Sequence, residues 1–203
     1  MTTERTTPTD PDACNLAEQV AEQVAVAVDP WRSLATLAGM VHAASAGIVL
    51  APSGTVLPLP GRAGHPVLAP GSGVLAAATA QLAEGGPYAS FLAPLPGDDG
   101  EEGLGTHARI TVLAVPLGLQ LFGAAVVLVS PAGDLHGLSR RELQVLGLLV
   151  TGASDERIAQ TLGITAPTVE VHLDDVRTKL GAPSRTTAAA RALRLGLFVP
   201  LSL

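Results

Sequence analysis

The sequence predicts two domains of different fold class. The first, over residues 13–133, is expected to be an α+β domain, an antiparallel sheet with flanking helices. The second, over residues 134–203, is expected to be an all-α bundle of four helices. Two valine-rich runs at 109–115 and 119–130 indicate the sheet, because they are apolar and alternate in places. A series of short helices, each with its own start and stop signals, indicates the bundle.

The composition limits both cores to small and branched side chains. Of 203 residues, 47% are hydrophobic, but only three are Phe, one is Trp and one is Tyr. The cores must therefore be built from Leu, Val and Ala. The single cysteine, Cys14, excludes an internal disulfide and fits a reducing compartment. Residues 1–12 are polar and lack a secretory signal, which predicts a disordered tail and a cytoplasmic protein.

Charge is distributed unevenly between the two halves. Residues 1–135 carry 12 acids and 4 bases, whereas residues 136–203 carry 6 acids and 8 bases. Only the second half has the sign that suits a polyanion such as nucleic acid, and its excess is small.

One uncharged stretch, residues 110–133, has the length of a membrane span. Pro116, Gly118 and Gln120 interrupt it near the middle. The stretch therefore predicts two buried strands joined by a turn rather than a transmembrane helix.

The elements of the first domain follow from local signals. Apolar residues at helical spacing predict helices, the first interrupted by Asp29-Pro30, and a Pro-Ser-Gly turn at 52–54 predicts a hairpin. Ser72 is the expected cap of a third helix. The predicted order is helix 14–28, helix 31–45, strand 47–51, strand 55–57, loop 58–71, helix 73–84, strand 88–92, acidic loop 96–106, and the two valine-rich strands.

The second domain shows paired start and stop signals. Ser139 and Glu142 have capping-box spacing, and Gly152 ends the helix that they start. Ser154 and Gly163 bound the next helix, and Thr165 and Gly181 bound a third. A fourth helix is expected from Arg185 to Leu195. Two helices joined by a tight turn containing glycine, over residues 154–180, make a helix-turn-helix.

These residues resemble the DNA-binding domain of LuxR-type transcription regulators, over residues 137–197. Many positions agree at fixed spacing. The matching pieces are Leu138-Ser-Arg-Arg-Glu142, Val145-Leu146, Gly152, Ile158-Ala159, Leu162-Gly163-Ile164, Thr168-Val169, His172, Lys179-Leu180-Gly181 and Ser184-Arg185-Thr186. The resemblance implies a dimeric DNA-binding transcriptional regulator with recognition helix 166–180 in the major groove.

The faces of the recognition helix give candidate contact residues. Val169, Leu173, Val176 and Leu180 share the expected core face. The candidate DNA-binding residues are Thr165, Pro167, Thr168, Glu170, Val171, Asp174, Arg177, Lys179 and Arg185. Thr165, Thr168, Lys179 and Arg185 are the expected phosphate contacts. The resemblance implies that Glu170, Val171 and Asp174 reach DNA, although the family often has basic or small polar residues at the first and last of these positions.

Two further expectations concern charge pairing and assembly. Asp175 and Lys179 are spaced to pair along the helix, as are Asp174 and Arg177. The resemblance makes the last helix a dimer contact, with small or apolar residues as its candidates: Ala188, Ala189, Ala192 and Leu193. Ordinary packing within the bundle is the alternative role of these residues.

The end of the first domain resembles the last hairpin of GAF domains. The matching stretches are Ile110-Thr-Val-Leu-Ala-Val-Pro-Leu117 and Leu121-Phe-Gly-Ala-Ala-Val-Val-Leu128, within a likeness over residues 15–131. The resemblance implies a sensor or dimerisation domain. The only lysine of the chain is Lys179, so the cyclic-nucleotide signature of this family is not present in residues 1–135. The missing lysine, and the lack of an Asp at the end of either valine-rich strand, also argue against control by aspartyl phosphorylation. No metal or other cofactor is expected.

The sequence favours a regulator over two other classes. The partners implied are double-stranded DNA and a second copy of the chain, with RNA polymerase and a small-molecule ligand of the first domain as further candidates and no membrane partner. The alternative is a protein-interaction module that keeps the helix-turn-helix but binds a protein through its acidic face. An enzyme ranks third, because nucleophile, phosphate-loop and zinc motifs are absent, and the loop acids at 98–102 read as solvated.

Overall fold

The computed structural model describes residues 29–83, 85–95, 107–115 and 124–203. The predicted N-terminal tail, helix 14–28, the acidic loop 96–106 and the turn of the last hairpin lie outside these residues.

The described residues of the first domain form an antiparallel sheet of five strands, as predicted. The strands are β1 (Ala46–Leu50), β2 (Val56–Pro58), β3 (Tyr88–Pro94), β4 (His107–Ala114) and β5 (Ala125–Pro131). Their order across the sheet is β2-β1-β5-β4-β3. The predicted hairpin pairs Val49 with Leu57, and the two valine-rich strands pair along their length with Val112 opposite Val127.

Two helices of the described part of the first domain cover the sheet. Helix α1 (Pro30–Gly39) starts where Asp29 accepts hydrogen bonds from the Trp31 and Arg32 amides. It ends at Gly39, well before the predicted Ser45, and the chain then passes through a left-handed residue at Ala43, where φ is 59°. Helix α2 (Gly73–Ala83) follows Ser72 as predicted, and a short 3₁₀ turn, Pro66–Leu68, lies within the predicted loop.

The sheet separates two packed layers. On one face, Leu34 and Ala38 of α1 pack against Val49, Val126 and Leu128. On the other face, α2 packs against the sheet in a core that continues without interruption into the second domain.

The second domain has the four predicted helices, α3 (Arg140–Val150), α4 (Asp155–Leu162), α5 (Ala166–Leu180) and α6 (Arg185–Leu195). All four begin at a residue whose hydroxyl accepts a backbone N–H of the first turn. These caps are Ser139, Ser154, Thr165 and Ser184. The local start signals therefore fixed the boundaries of this domain closely.

The chain after α6 joins the two halves. The Leu92 amide on the edge strand β3 donates to the Phe198 carbonyl (N–O 2.9 Å), and the Val199 amide donates to Leu143 on α3 (N–O 3.2 Å). The rings of Phe91 and Phe198 lie 6.5 Å apart. The last residues thus cover part of a sheet edge and bridge it to the bundle.

Arg109 forms a second connection. Its guanidinium group donates to the Ala132 carbonyl after β5 (Nη2–O 2.8 Å) and to the Leu195 carbonyl at the end of α6 (Nη1–O 2.6 Å). A cation at this end of a helix pairs with its unsatisfied carbonyls and its dipole. The bundle is therefore attached to the sheet by polar as well as apolar contacts.

Within the described ranges, none of the helices combines the length and apolar character needed to cross a membrane. Where the uncharged stretch 110–133 is described, it forms strands β4 and β5 and the residues beside them. This agrees with the prediction of two buried strands.

The bridge to the bundle depends on Gly147, where an added Cβ would overlap the Val199 carbonyl. Alanine normally stabilises a helix by about 1 kcal/mol relative to glycine. We expect Gly147→Ala to do the reverse and lower the free energy of unfolding by about 1 to 3 kcal/mol, because the tail must shift. Urea denaturation followed by circular dichroism measures the change.

The matched control is Gly39→Ala in α1, since nothing lies within 4 Å of the added Cβ there. It should be neutral or stabilising by up to about 1 kcal/mol. A stabilising Gly147→Ala would contradict the close packing of the tail on α3.

Candidate nucleic-acid interface

Helices α4 and α5 form a helix-turn-helix. Gly163 ends α4 with φ of 65°, a left-handed conformation that glycine adopts without strain. The Ile164 amide still donates to the Ala159 carbonyl (N–O 3.0 Å), so the turn stays closed. Thr165 then starts α5, and its hydroxyl accepts the Thr168 amide (N–O 3.3 Å). The short turn fixes the direction in which α5 leaves α4.

Helix α5 has the two faces that the sequence predicts. Its inner residues, Val169, Leu173, Val176 and Leu180, are buried in the bundle. Its outer residues are exposed along more than three turns of helix: Thr165, Pro167, Thr168, Glu170, Val171, Asp174, Asp175 and Thr178. Val171 is 60% exposed, so this face presents one branched apolar side chain to solvent. The outer face therefore combines carboxylates, hydroxyls and one apolar contact.

The expected pair between Asp174 and Arg177 forms, with Nη1 of Arg177 2.8 Å from Oδ1 of Asp174. The same guanidinium group reaches the Pro183 carbonyl (Nη2–O 3.4 Å). Both side chains are well exposed, so the pair contributes little to stability. It does reduce the positive charge that Arg177 presents to an approaching phosphate.

Lys179 does not form its expected pair with Asp175. Its ammonium group lies 2.8 and 2.7 Å from the two carboxylate oxygens of Glu142 on α3. Glu142 is only 3% exposed and also accepts the Ser139 amide (N–O 2.7 Å), which completes the predicted capping box. A buried carboxylate needs this compensation, whereas Asp175 is already solvated. The expected phosphate contact from Lys179 is therefore in competition with a structural role.

The balance of interactions sets the acidity of Glu142. Burial by itself would raise the pKa of this carboxyl group, but the hydrogen bonds from Lys179 and Ser139 outweigh it. The pKa therefore lies below its ordinary range, and the group is ionised at neutral pH.

Arg185 is also engaged within the domain. Its guanidinium group pairs with the Asp155 carboxylate and donates to the Ala153 carbonyl, which ties the start of α6 to the start of α4. Arg191 similarly donates to the Leu180 carbonyl and to the Gly181 carbonyl at the end of α5, the latter at an Nη1–O distance of 2.6 Å. Arg185, a predicted phosphate contact, and Arg191 thus bind groups within the bundle and stabilise it.

Other arginines of the second domain have guanidinium groups that face solvent. Among the described residues, the guanidinium groups of Arg140, Arg157 and Arg194 make no ion pair or hydrogen bond, and all three residues are exposed. Arg157 lies on α4, the first helix of the motif. Sequence reasoning did not select it, because only the folded arrangement reveals which cations are already paired.

The structure corrects the expected dimer contacts on α6. Ala188 and Ala192 are fully buried within the bundle, where they have no surface to offer a second chain. The alternative considered for these residues, packing within the bundle, accounts for both. Ala189 is partly buried, and Leu193 is 46% exposed.

The fold and its exposed helix define a class of protein, one with a C-terminal helix-turn-helix domain. Residues 136–192 match the family described as bacterial regulatory proteins, luxR family. This segment is therefore a LuxR-type helix-turn-helix domain.

Curated relatives share this segment. The transcriptional regulatory protein MctR of Rhizobium johnstonii is 42% identical over 60 residues, which are 30% of this chain and 28% of MctR. The HTH-type transcriptional regulator MalT of Yersinia pestis is 41% identical over 58 residues, 29% of this chain and 6% of MalT. The chain thus matches little more than a quarter of the one relative and a small part of the other.

Solved structures give a weaker likeness. A phage VqmA–DPO complex is 21% identical with a TM-score of 0.32, and covers 63% of this chain and 66% of its own. A Vibrio cholerae VqmA dimer without target DNA is 22% identical with a TM-score of 0.30, over 63% of this chain and 68% of its own. Scores this low do not establish a shared arrangement or a shared ligand.

The pair between Glu142 and Lys179 predicts a pH-dependent stability. We expect Lys179→Met to lower the free energy of unfolding at pH 7 by about 3 kcal/mol, since it leaves a buried carboxylate uncompensated. The pKa of Glu142 is lower in the folded than in the unfolded protein, so the stabilisation is present above the unfolded value and is lost as pH falls through the folded one. The difference between the two proteins should therefore shrink as pH falls below about 4.

Urea titrations at a series of pH values measure this difference. Arg194→Met removes the same charge from an exposed site and should change stability by less than about 0.5 kcal/mol at every pH. A Lys179→Met effect as small as the control, or one that does not change with pH, would contradict the role of the pair.

Proposed function

We propose that this protein is a dimeric DNA-binding transcriptional regulator. The observation that carries the proposal is the LuxR-type helix-turn-helix, in which α5 exposes an uninterrupted outer face while its inner face is buried. A helix held in this way on a short turn can enter the major groove of DNA. The N-terminal domain is proposed to be GAF-like, to contribute to dimerisation and to sense a ligand or partner; RNA polymerase is a proposed further partner.

The outer face of α5 suggests how bases would be read. The carboxylates of Glu170 and Asp174 accept hydrogen bonds, as the N4 amino group of cytosine requires, and the exposed Val171 side chain suits a thymine methyl group. We propose Thr165 and Thr168, at the start of the helix, as hydroxyl contacts to the backbone.

Phosphate attraction would come mainly from other helices. With Lys179 and Arg185 paired to carboxylates, the uncommitted Arg157 on α4 and Arg140 on α3 are better placed to supply it. Because phosphate contacts provide most non-specific affinity, we expect weak non-specific binding and strong dependence on a second subunit.

Selection from random DNA, followed by a salt titration of the enriched site, tests the proposal. The expected result is a paired site with half-sites about one helical turn, or 34 Å, apart and an affinity that falls as salt rises. Absence of any enriched sequence at low salt, at concentrations where the protein is dimeric, would refute it.

A second function is favoured by one observation, the acidity of the outer face. Glu170 and Asp175 are exposed, and no described residue pairs with either of them. Such a surface could bind a basic protein segment instead of DNA. In that case the selection enriches nothing, and Glu170→Lys abolishes the protein complex.

Asp174→Lys is expected to strengthen non-specific DNA binding and change base preference. The substitution removes an acid from the outer face, adds a cation and releases Arg177 from its ion pair. The slope of log affinity against log salt should become more negative by about 1 to 2. Fluorescence anisotropy with labelled duplexes measures both quantities.

Asp134→Lys, at an exposed acid before α3, makes the same change of net charge away from α5. It should alter the slope far less and leave base preference unchanged. Equal behaviour of the two variants would show that α5 does not lie in the groove.

A further inference from the structure

A groove of about 500 Å³ lies between the two halves of the protein. One wall is α2 of the first domain, where Ala77, Ala80 and Gln81 face the groove. The opposite wall is formed by α3 and α6 of the helix-turn-helix domain together with the chain after α6. The volume is in the range of sites that hold small molecules.

The lining determines what could occupy the groove. Among the described residues that line the groove, none has a charged side chain, so these residues offer an ion no partner for its charge. Gln81 on α2 and Thr151 after α3 provide hydrogen-bonding groups on facing walls. The Thr151 hydroxyl already donates to the Leu148 carbonyl (O–O 2.8 Å), which leaves its lone pairs to accept a hydrogen bond.

Apolar side chains that remain in water lie at the same place. Leu193 on α6 and Leu201 in the tail line the groove but are 46% and 58% exposed. Their transfer out of water would favour an apolar occupant. On the opposite wall, the small side chains of Ala77 and Ala80 leave room for an apolar molecule.

We propose that this groove binds an uncharged, mainly apolar small molecule that donates a hydrogen bond towards Thr151. Because its walls come from both halves, the bound molecule stabilises the attachment of the helix-turn-helix domain to the sheet. The site thus offers a way to control the position of α5 that does not use the interior of the N-terminal domain. Its existence does not depend on DNA binding.

The test uses the full chain and the neutral fluorophore N-phenyl-1-naphthylamine, which has one N–H donor. We expect saturable fluorescence enhancement with one site per chain, and a rise in the thermal unfolding midpoint as the probe is added. Ala80→Phe, which places a ring in the groove, should weaken binding at least about tenfold. The control Ala83→Phe changes an exposed alanine of the same helix that does not line the groove and should bind normally.

Thr151→Val provides a second variant that preserves shape. It removes the acceptor and should weaken binding about threefold to tenfold without loss of the fold. No saturable binding by the unaltered protein, or equal affinities in Ala80→Phe and Ala83→Phe, would overturn the proposal. Sedimentation showing that the groove is covered by a second copy, which Ala80→Phe releases, would overturn it as well.

Discussion

The position of helix α5 depends on the carboxylate of Glu142. This group is almost completely buried, yet it is charged, so every one of its hydrogen-bonding positions needs a donor. The Ser139 amide fixes it at the start of α3, and the ammonium group of Lys179 approaches it from the last turn of α5. One buried charge therefore holds α3 and α5 in a single arrangement.

Other cations of the domain also bind groups within the domain. Arg185 ties α6 to α4, and Arg191 satisfies carbonyls at the end of α5, so much of the positive charge of the domain is spent on its own stability. A domain with few cations left for phosphate binds DNA weakly as a single copy. In the function proposed above, specific base contacts and dimerisation would have to supply most of the affinity, and the exposed acceptors on α5 are suited to such base contacts.

The attachment of the bundle to the sheet makes the two halves parts of one core. The segment after α6 hydrogen-bonds to the edge strand β3, and Arg109 reaches from β4 to the end of α6. Any change that moves β3, α2 or this segment therefore acts on the bundle directly. The groove between α2 and α3 lies at this junction, which is why its occupation would affect where α5 points.

The sequence by itself determined the features that depend on neighbouring residues. The caps at Ser139, Ser154 and Thr165, the buried stripe of α5 and the valine-rich strands all follow from local hydrogen bonds and hydrophobic periodicity.

Only the tertiary structure decided which charges pair. Lys179 pairs with Glu142, which is 37 residues away, and not with Asp175 on its own helix. The reason is that a buried carboxylate is stabilised more by a nearby cation than a solvated carboxylate is. The burial of Ala188 and Ala192 was decided in the same way, since small residues indicate close approach but not which surface approaches. The helix-turn-helix could thus be read from its sequence, whereas the chemistry of its exposed face required the fold.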